Sequence, residues 1–255
     1  MDLSLKDRVA FITGGARGIG AAAARTFAAE GAHVAIFDLV DDQASQDTLS
    51  QCRQHGVEAM VAEGDVADRD ATEAAVHRTL DRFGHIDILV HSAGIVRKAE
   101  SLDYNDTGWH RVMAVHLMGA RNVCRAVVPN MIERKYGKIV LICSLAAHVE
   151  GGDYGVAMAA KLQYMRDLAR ILASHNINVN AISPGKTMTG LQDPYFPTHE
   201  DRKNFARDHI PLQRPGKDYP VAEDVAYPVV LLCSDRMSHV TGVELHVNGG
   251  EYIQC

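Results

Sequence analysis

The segment Thr13-Gly14-Gly15-Ala16-Arg17-Gly18-Ile19-Gly20 constrains this chain more than any other. A short apolar run, residues 8–13, precedes it, and the helix-forming stretch AAAARTFAAEG follows at once. Glycines placed between a strand and a helix have separate uses. Gly14 permits a tight turn, Gly18 lets backbone approach a phosphate, and Gly20 lets the helix pack close to the strand. The helix N-terminus beyond them offers free N–H groups and a partial positive charge, which suits a pyrophosphate.

A second run, HVAIF, ends at Asp38, about twenty residues beyond the glycines. A carboxylate there can accept hydrogen bonds from the 2′- and 3′-hydroxyls of an adenosine ribose, and it repels a 2′-phosphate. Arg17 acts in the opposite sense, since a cation in the turn could pair with such a phosphate. No Lys or Arg follows Asp38 closely, so the balance favours NAD over NADP. The competing reading is an Asp that merely opens the turn before Asp41 and Asp42.

Strand and helix patterns alternate along the chain. Strands are expected at residues 8–13, 33–37, 57–62, 86–91, 138–143, 177–182 and 243–247. Helices are expected, among others, at 18–30, 69–83, 107–134, 154–175 and 221–234. Several strand candidates are continuously apolar, as strands covered on both faces are. With right-handed crossovers, the alternation predicts an α/β, doubly wound, mostly parallel seven-stranded sheet of Rossmann type. At 255 residues with 47% hydrophobic content, residues 1–255 read as one domain. Residues 187–216 break the pattern. They hold four prolines and little periodicity, and a loop of that length is a candidate substrate lid, with Leu191, Tyr195 and Phe196 as contacts. A plain surface insertion is the other reading.

Several classes are disfavoured. The net charge is −6 and Lys and Arg are dispersed, so no nucleic-acid surface is expected. No apolar run approaches membrane-spanning length, and the opening residues MDLSLKDR lack the apolar stretch of a signal peptide. The five cysteines form no C-x-x-C pair, which fits reduced thiols and a cytoplasmic setting. No two of the thirteen histidines form a His-x3-His pair, so no metal is expected. Ser144 and His148 lack a G-x-S-x-G elbow for hydrolase chemistry.

Taken in order, further motifs resemble the short-chain dehydrogenase/reductase family over nearly the whole chain. They are the turn T-G-x-x-x-G-I-G with Arg17 and Ile19, Asp65-Val66 and Ala93-Gly94. Then come Ser144, the loop Asn180–Gly185 with Pro184, then Thr187, Thr241-Gly242 and Asn248-Gly249-Gly250. The resemblance implies that Asp65 and Val66 contact the adenine. It implies that Pro184, Gly185 and Thr187 lie beside the nicotinamide, and that Ser144 serves the substrate oxygen within a Ser–Tyr–Lys set.

The Tyr–Lys spacing departs from the family's Tyr-x-x-x-Lys. Thirteen residues beyond Ser144 lies Ala157, and four more reach Lys161, a register that keeps the lysine alone. Counting back from Asn180–Gly185 puts Tyr154 and Met158 in the two slots and keeps the tyrosine alone. A third reading, Tyr154-x6-Lys161, is similar to the divergent enoyl-reductase branch. Residues i and i+7 lie only about 20° apart around a helix but about 10 Å apart along it. The favoured reading makes Tyr154 the acid/base and Lys161 its distant support, lowering the phenol pKa or holding the ribose. His116 stands where the family keeps an asparagine. It is either a proton relay or a histidine satisfied within helix packing.

The resulting expectation is an NAD(H)-dependent oxidoreductase interconverting a secondary alcohol and a ketone. By resemblance it leans towards polyols or sugars and works as a homodimer or homotetramer. The alternative is a dinucleotide-binding protein of the same family with little dehydrogenase activity, used for sensing or assembly.

Overall fold

The computed structural model describes residues 2–96 and 106–253. Seven parallel strands form one sheet: β1 (Val9–Thr13), β2 (His33–Asp38), β3 (Ala59–Glu63), β4 (Ile88–His91), β5 (Gly137–Ile142), β6 (Ile177–Pro184) and β7 (Glu244–Val247). Their order is β3-β2-β1-β4-β5-β6-β7. Helices cover both faces: α1 (Gly18–Ala29), α2 (Gln43–Arg53), α3 (Arg69–Phe83), α4 (Asp106–Met113), α5 (Gly119–Arg134), α6 (Gly152–Leu172), α7 (His199–His209) and α8 (Ala222–Leu232). This is the doubly wound parallel sheet that the alternating pattern predicts.

Side chains alternate across a strand, so each central strand feeds two cores. Phe11, Phe37, Leu89 and Leu141 meet α3, α5 and α6 on one face. Ile12, Ile36, Val90 and Val140 meet α1, α2 and α8 on the other. The direction of winding reverses between β1 and β4, and the crevice outside the C-terminal strand ends at that point is where such sheets bind ligands.

The glycine turn is built by close approach. Gly14 has φ +65°, and a Cβ there would lie 2.8 Å from the Ala93 backbone. A Cβ on Gly20 would overlap the carbonyl oxygen of Gly14, which sets the distance of α1 from β1. The Thr13 hydroxyl accepts from the N–H groups of Ser92 (3.2 Å) and Ala93 (3.1 Å), tying the end of β1 to the end of β4.

Two expectations need correction. The helix expected over 107–134 is α4 and α5 joined by a π-helical turn, Ala114–Met118, whose extra residue periodicity alone does not reveal. Residues 187–216 are not a structureless loop. They contain α7, started by a reciprocal cap in which Asp201 N–H donates to Thr198 Oγ1 and Thr198 N–H to Asp201 Oδ2, both at 3.1 Å. Helix α2 has a thin apolar stripe, in which only Ser45, Thr48, Leu49 and Cys52 are buried.

Cys52, Cys124, Cys143 and Cys233 are buried, free thiols. Cys255 lies outside the described residues. Among the described residues no helix is long and apolar enough to cross a membrane.

The substitution Gly20→Ala is expected to lower folding stability by roughly 1–3 kcal/mol through overpacking. Urea unfolding measures the loss, and an unchanged midpoint would contradict the packing described for α1.

Candidate active site

A cleft of about 640 Å³ lies along the C-terminal strand ends. Each strand from the centre of the sheet delivers part of its wall: Gly14, Arg17, Gly18 and Ile19 after β1, Asp38 at the end of β2, and Ser92, Ala93 and Gly94 after β4. Ser144 follows β5, and Pro184, Gly185 and Thr187 close β6. His116 and Tyr154 complete the wall from the helical side. Gly20, Asp65, Val66 and Lys161 do not line it. Gly20 packs α1 against the turn. Asp65 is paired with Arg111 at 2.7 Å, and Val66 is buried with its carbonyl accepting from Asn122 at 3.0 Å.

At one end, Asp38 holds the turn it faces. Its Oδ2 accepts from the Ala16 N–H and its Oδ1 from the Leu39 N–H, both at 2.9 Å. Arg17 is tied to Asp42, which also caps α2 through the Ala44 and Ser45 N–H groups. The hydrogen bond from Arg17 is the chief reason that the Asp42 carboxyl sits below its usual range.

At the other end, Ser144 is extended backbone capping the short turn Leu145–Ala147, and its Oγ accepts from the Ala146 N–H at 3.2 Å. Tyr154 lies in the first turn of α6, with the Ser144 side chain close enough to influence its phenol. Burial pushes its phenol up to about 12; the Ser144 side chain lowers it in part, and Cys143 raises it further. The His116 ring stands edge-on to Tyr154, 5.1 Å between centroids. Its Nε2 lies 2.7 Å from the Ile95 carbonyl oxygen, its Nδ1 has no partner among the described residues, and its ring fills the space a Cβ on Gly94 would need. Burial, reinforced by the Lys161 charge, lowers His116 to about 3.

Behind this wall, at the end of β4, is a second histidine. His91 is fully buried. The Thr13 hydroxyl, already accepting two N–H groups, has its proton free for His91 Nδ1 at 2.9 Å. That fixes His91 as the Nε2–H tautomer, and its Nε2 is a buried donor without a partner. Burial first, then the Lys161 and His116 charges, keep this ring neutral.

Lys161 is a buried side chain of α6. It is 1% exposed, so it does face inward with Tyr154. Its charge acts on His91, His116 and Cys143, whereas Tyr154 responds to burial, Ser144 and Cys143. Burial dominates at the phenol, which stays high. Ala157 and Met158, the residues of the two other registers, are fully buried apolar groups. Lining residues that sequence reasoning missed include Glu150, Lys186, Gln192 and Glu251. Glu251 comes from the far end of the chain, where its Oε2 accepts from the Lys186 N–H at 2.8 Å. No local pattern signals that return.

Burial lowers the Lys161 pKa below the unfolded value of about 10.4. A depressed folded pKa means that the folded state binds fewer protons, so stability falls as pH drops below the unfolded value. Lys161→Met is therefore expected to be more stable than the parent at pH 7, with the gap narrowing at pH 9.5. Urea unfolding at the two pH values checks the sign.

A family profile described as enoyl-(acyl carrier protein) reductase matches residues 14–251. The chain is 30% identical over 247 residues to a 3-oxoacyl-(acyl-carrier-protein) reductase of Staphylococcus aureus, covering 96% of this chain and 98% of that one. It is 35% identical over 254 residues to the uncharacterized oxidoreductase YhdF of Bacillus subtilis, covering 98% and 85%. Among solved structures, a carveol dehydrogenase from Mycobacterium avium in complex with NAD superposes with a TM-score of 0.90 at 27% identity, covering 96% of this chain and 98% of that chain. A dehydrogenase/reductase from Sinorhizobium meliloti superposes at 0.89 with 30% identity, covering 99% and 98%. With motifs, sheet order and cleft in agreement along the whole chain, the protein belongs to the short-chain dehydrogenase/reductase family, oxidoreductases that bind a nicotinamide dinucleotide.

Proposed function

We propose that this protein is an NAD(H)-dependent oxidoreductase interconverting a secondary alcohol and a ketone. One observation carries the reading: Ser144 and Tyr154 line the same cleft as the glycine turn and Asp38. The residues present fit a dinucleotide. The α1 N-terminus and the Gly14–Gly20 turn suit the pyrophosphate, and Asp38 suits the adenosine ribose. Specificity for NAD is supported by Arg17, whose charge is spent on Asp42 rather than left free for a 2′-phosphate.

Bound nicotinamide supplies the hydride acceptor or donor and, when oxidised, a positive charge where Tyr154 must ionise. Ser144 orients the substrate oxygen. Tyr154 exchanges the proton with it; a phenol held near 12 stays protonated at neutral pH and is suited to donate to a ketone. His116, its ring edge-on to Tyr154 and its Nδ1 without a partner among the described residues, is placed to pass protons onward. Lys161 sets the electrostatics of the two histidines. Glu150, Lys186, Gln192 and Glu251 add polar groups to a wall that also carries Val149, Leu191 and Tyr195, and those groups suit a substrate with hydroxyls. The covering segment around α7, with Leu191 and Tyr195 on the cleft, serves as the lid of a single domain. Self-association as a dimer or tetramer through α5 and α6 belongs to the same reading, with Val156 (49%) and Ile171 (64%) exposed on α6. So does a cytoplasmic location.

A second reading has its own support. Burial leaves the Tyr154 phenol high, at about 12. A dinucleotide-binding protein with little turnover would show this feature.

Following NADH absorbance with polyols, hydroxysteroids and hydroxy acids tests both. Turnover is expected, and Tyr154→Phe should lower kcat by about 10²–10⁴-fold while NADH binding persists. NADH binding without turnover on any member of the panel would favour the second reading. Asp38→Ala is expected to raise kcat/KM with NADP relative to NAD; an unchanged ratio would remove Asp38 from the discrimination.

A further inference from the structure

A cluster outside the catalytic cleft has unused coordinating capacity. Glu244 and His246 lie two residues apart in β7, on one face of the strand. His148 comes from the segment between Ser144 and Tyr154. One nitrogen from each ring and one Glu244 oxygen lie within 4.8 Å of one another. His148 Nε2 is 2.6 Å from Glu244 Oε1, and His246 Nε2 is 3.2 Å from the same atom.

The hydrogen bonding does not close. Glu244 Oε1 already receives the Ser183 hydroxyl at 2.6 Å and His148 Nε2 at 2.6 Å. Those two donors occupy its lone pairs. His246 Nε2, though close, is buried without a hydrogen-bond partner among the described residues. A buried polar atom in that state costs stability unless something else satisfies it. A cation between the three groups would do so.

The surroundings brace the set as a metal's outer partners do. Ser183 is cross-strand neighbour to His246 in the β6–β7 ladder and fixes the carboxylate. Arg166 approaches the other carboxylate oxygen at 3.6 Å, leaving Oε1 to the histidines. Tyr252 stacks on His148 (5.3 Å, 11°) and packs against His246 (5.5 Å). His246 also lines a separate cavity of about 370 Å³ between α7, α8 and β7, which gives the set an open side.

We propose that His148, Glu244 and His246 form a binding site for a divalent transition-metal cation of the zinc type. Two imidazoles and one carboxylate form a borderline N2O donor set, which zinc accepts with water in the remaining position. Ligand atoms around tetrahedral zinc stand about 3.4 Å apart, so the 2.6 and 3.2 Å separations need to open by less than about 1 Å. The site ties β7 to the chain four residues beyond Ser144. It therefore acts on the stability and placement of the serine segment, not on the proton transfer.

The test uses chelator-treated full-length protein titrated with ZnCl2. Calorimetry is expected to show one Zn²⁺ per chain, with a rise in the thermal midpoint of several degrees. The variants His246→Gln and His148→Gln should each weaken binding at least tenfold, while the exposed His55→Ala leaves it unchanged. Anomalous scattering at the zinc edge from wild-type crystals should place the ion among the three side chains, whether or not a variant folds. Absence of stoichiometric binding, binding indifferent to both glutamine variants, or an ion located elsewhere would each overturn the proposal. Cofactor binding and turnover are read separately, so either reading can fail without the other.

Discussion

The junction between the ends of β1 and β4 is the constraint on which the rest depends. Thr13 holds Ser92 and Ala93 by their N–H groups, and Gly14 touches the Ala93 backbone where a side chain could not fit. Those contacts fix the floor of the crevice at the point where the sheet reverses its winding. From that floor the other walls follow. Asp38 is set by the Ala16 N–H of the same turn, and Gly94 is kept bare for the His116 ring. The Ser144 segment and the end of β6 are carried in by the ladder of β4, β5 and β6.

Behind the floor, polar groups accumulate without partners. His91 Nε2 and His116 Nδ1 are buried and unsatisfied, and the inward-facing Lys161 shares their space. Such a group is costly in a core and is tolerated where it has a use. Its electrostatics are self-consistent: burial, reinforced by the lysine charge, keeps both rings neutral, and burial draws the lysine itself downwards. Tyr154 lies at the edge of this network, with its ring against His116 and its phenol near the Ser144 side chain.

The parts legible in the sequence are those whose physics is local. The glycine turn and Asp38 were readable because strand, turn, helix and acid follow one another within thirty residues. The doubly wound sheet was readable because strands covered on both faces are apolar throughout. Helical spacing correctly turned Lys161 inward, but which groups its charge reaches depends on β4 and the π turn, elements remote in sequence. α7 was masked by the prolines around it, although Thr198 and Asp201 carry its start signal. The set His148, Glu244 and His246 was invisible to a search for closely spaced histidines. It is assembled from segments nearly a hundred residues apart.

The π turn at Ala114–Met118 has a consequence for how α4 and α5 can vary together. One additional residue within a helix advances everything before it by about 100° relative to everything after it. Arg111 on the earlier side meets Asp65, and Asn122 on the later side reaches the Val66 carbonyl, so both sides grip the same short stretch after β3. The extra residue is what brings these two grips into phase. His116 sits at the point of the phase change, and the loop count of this segment is therefore as tightly fixed as the identity of any side chain on it.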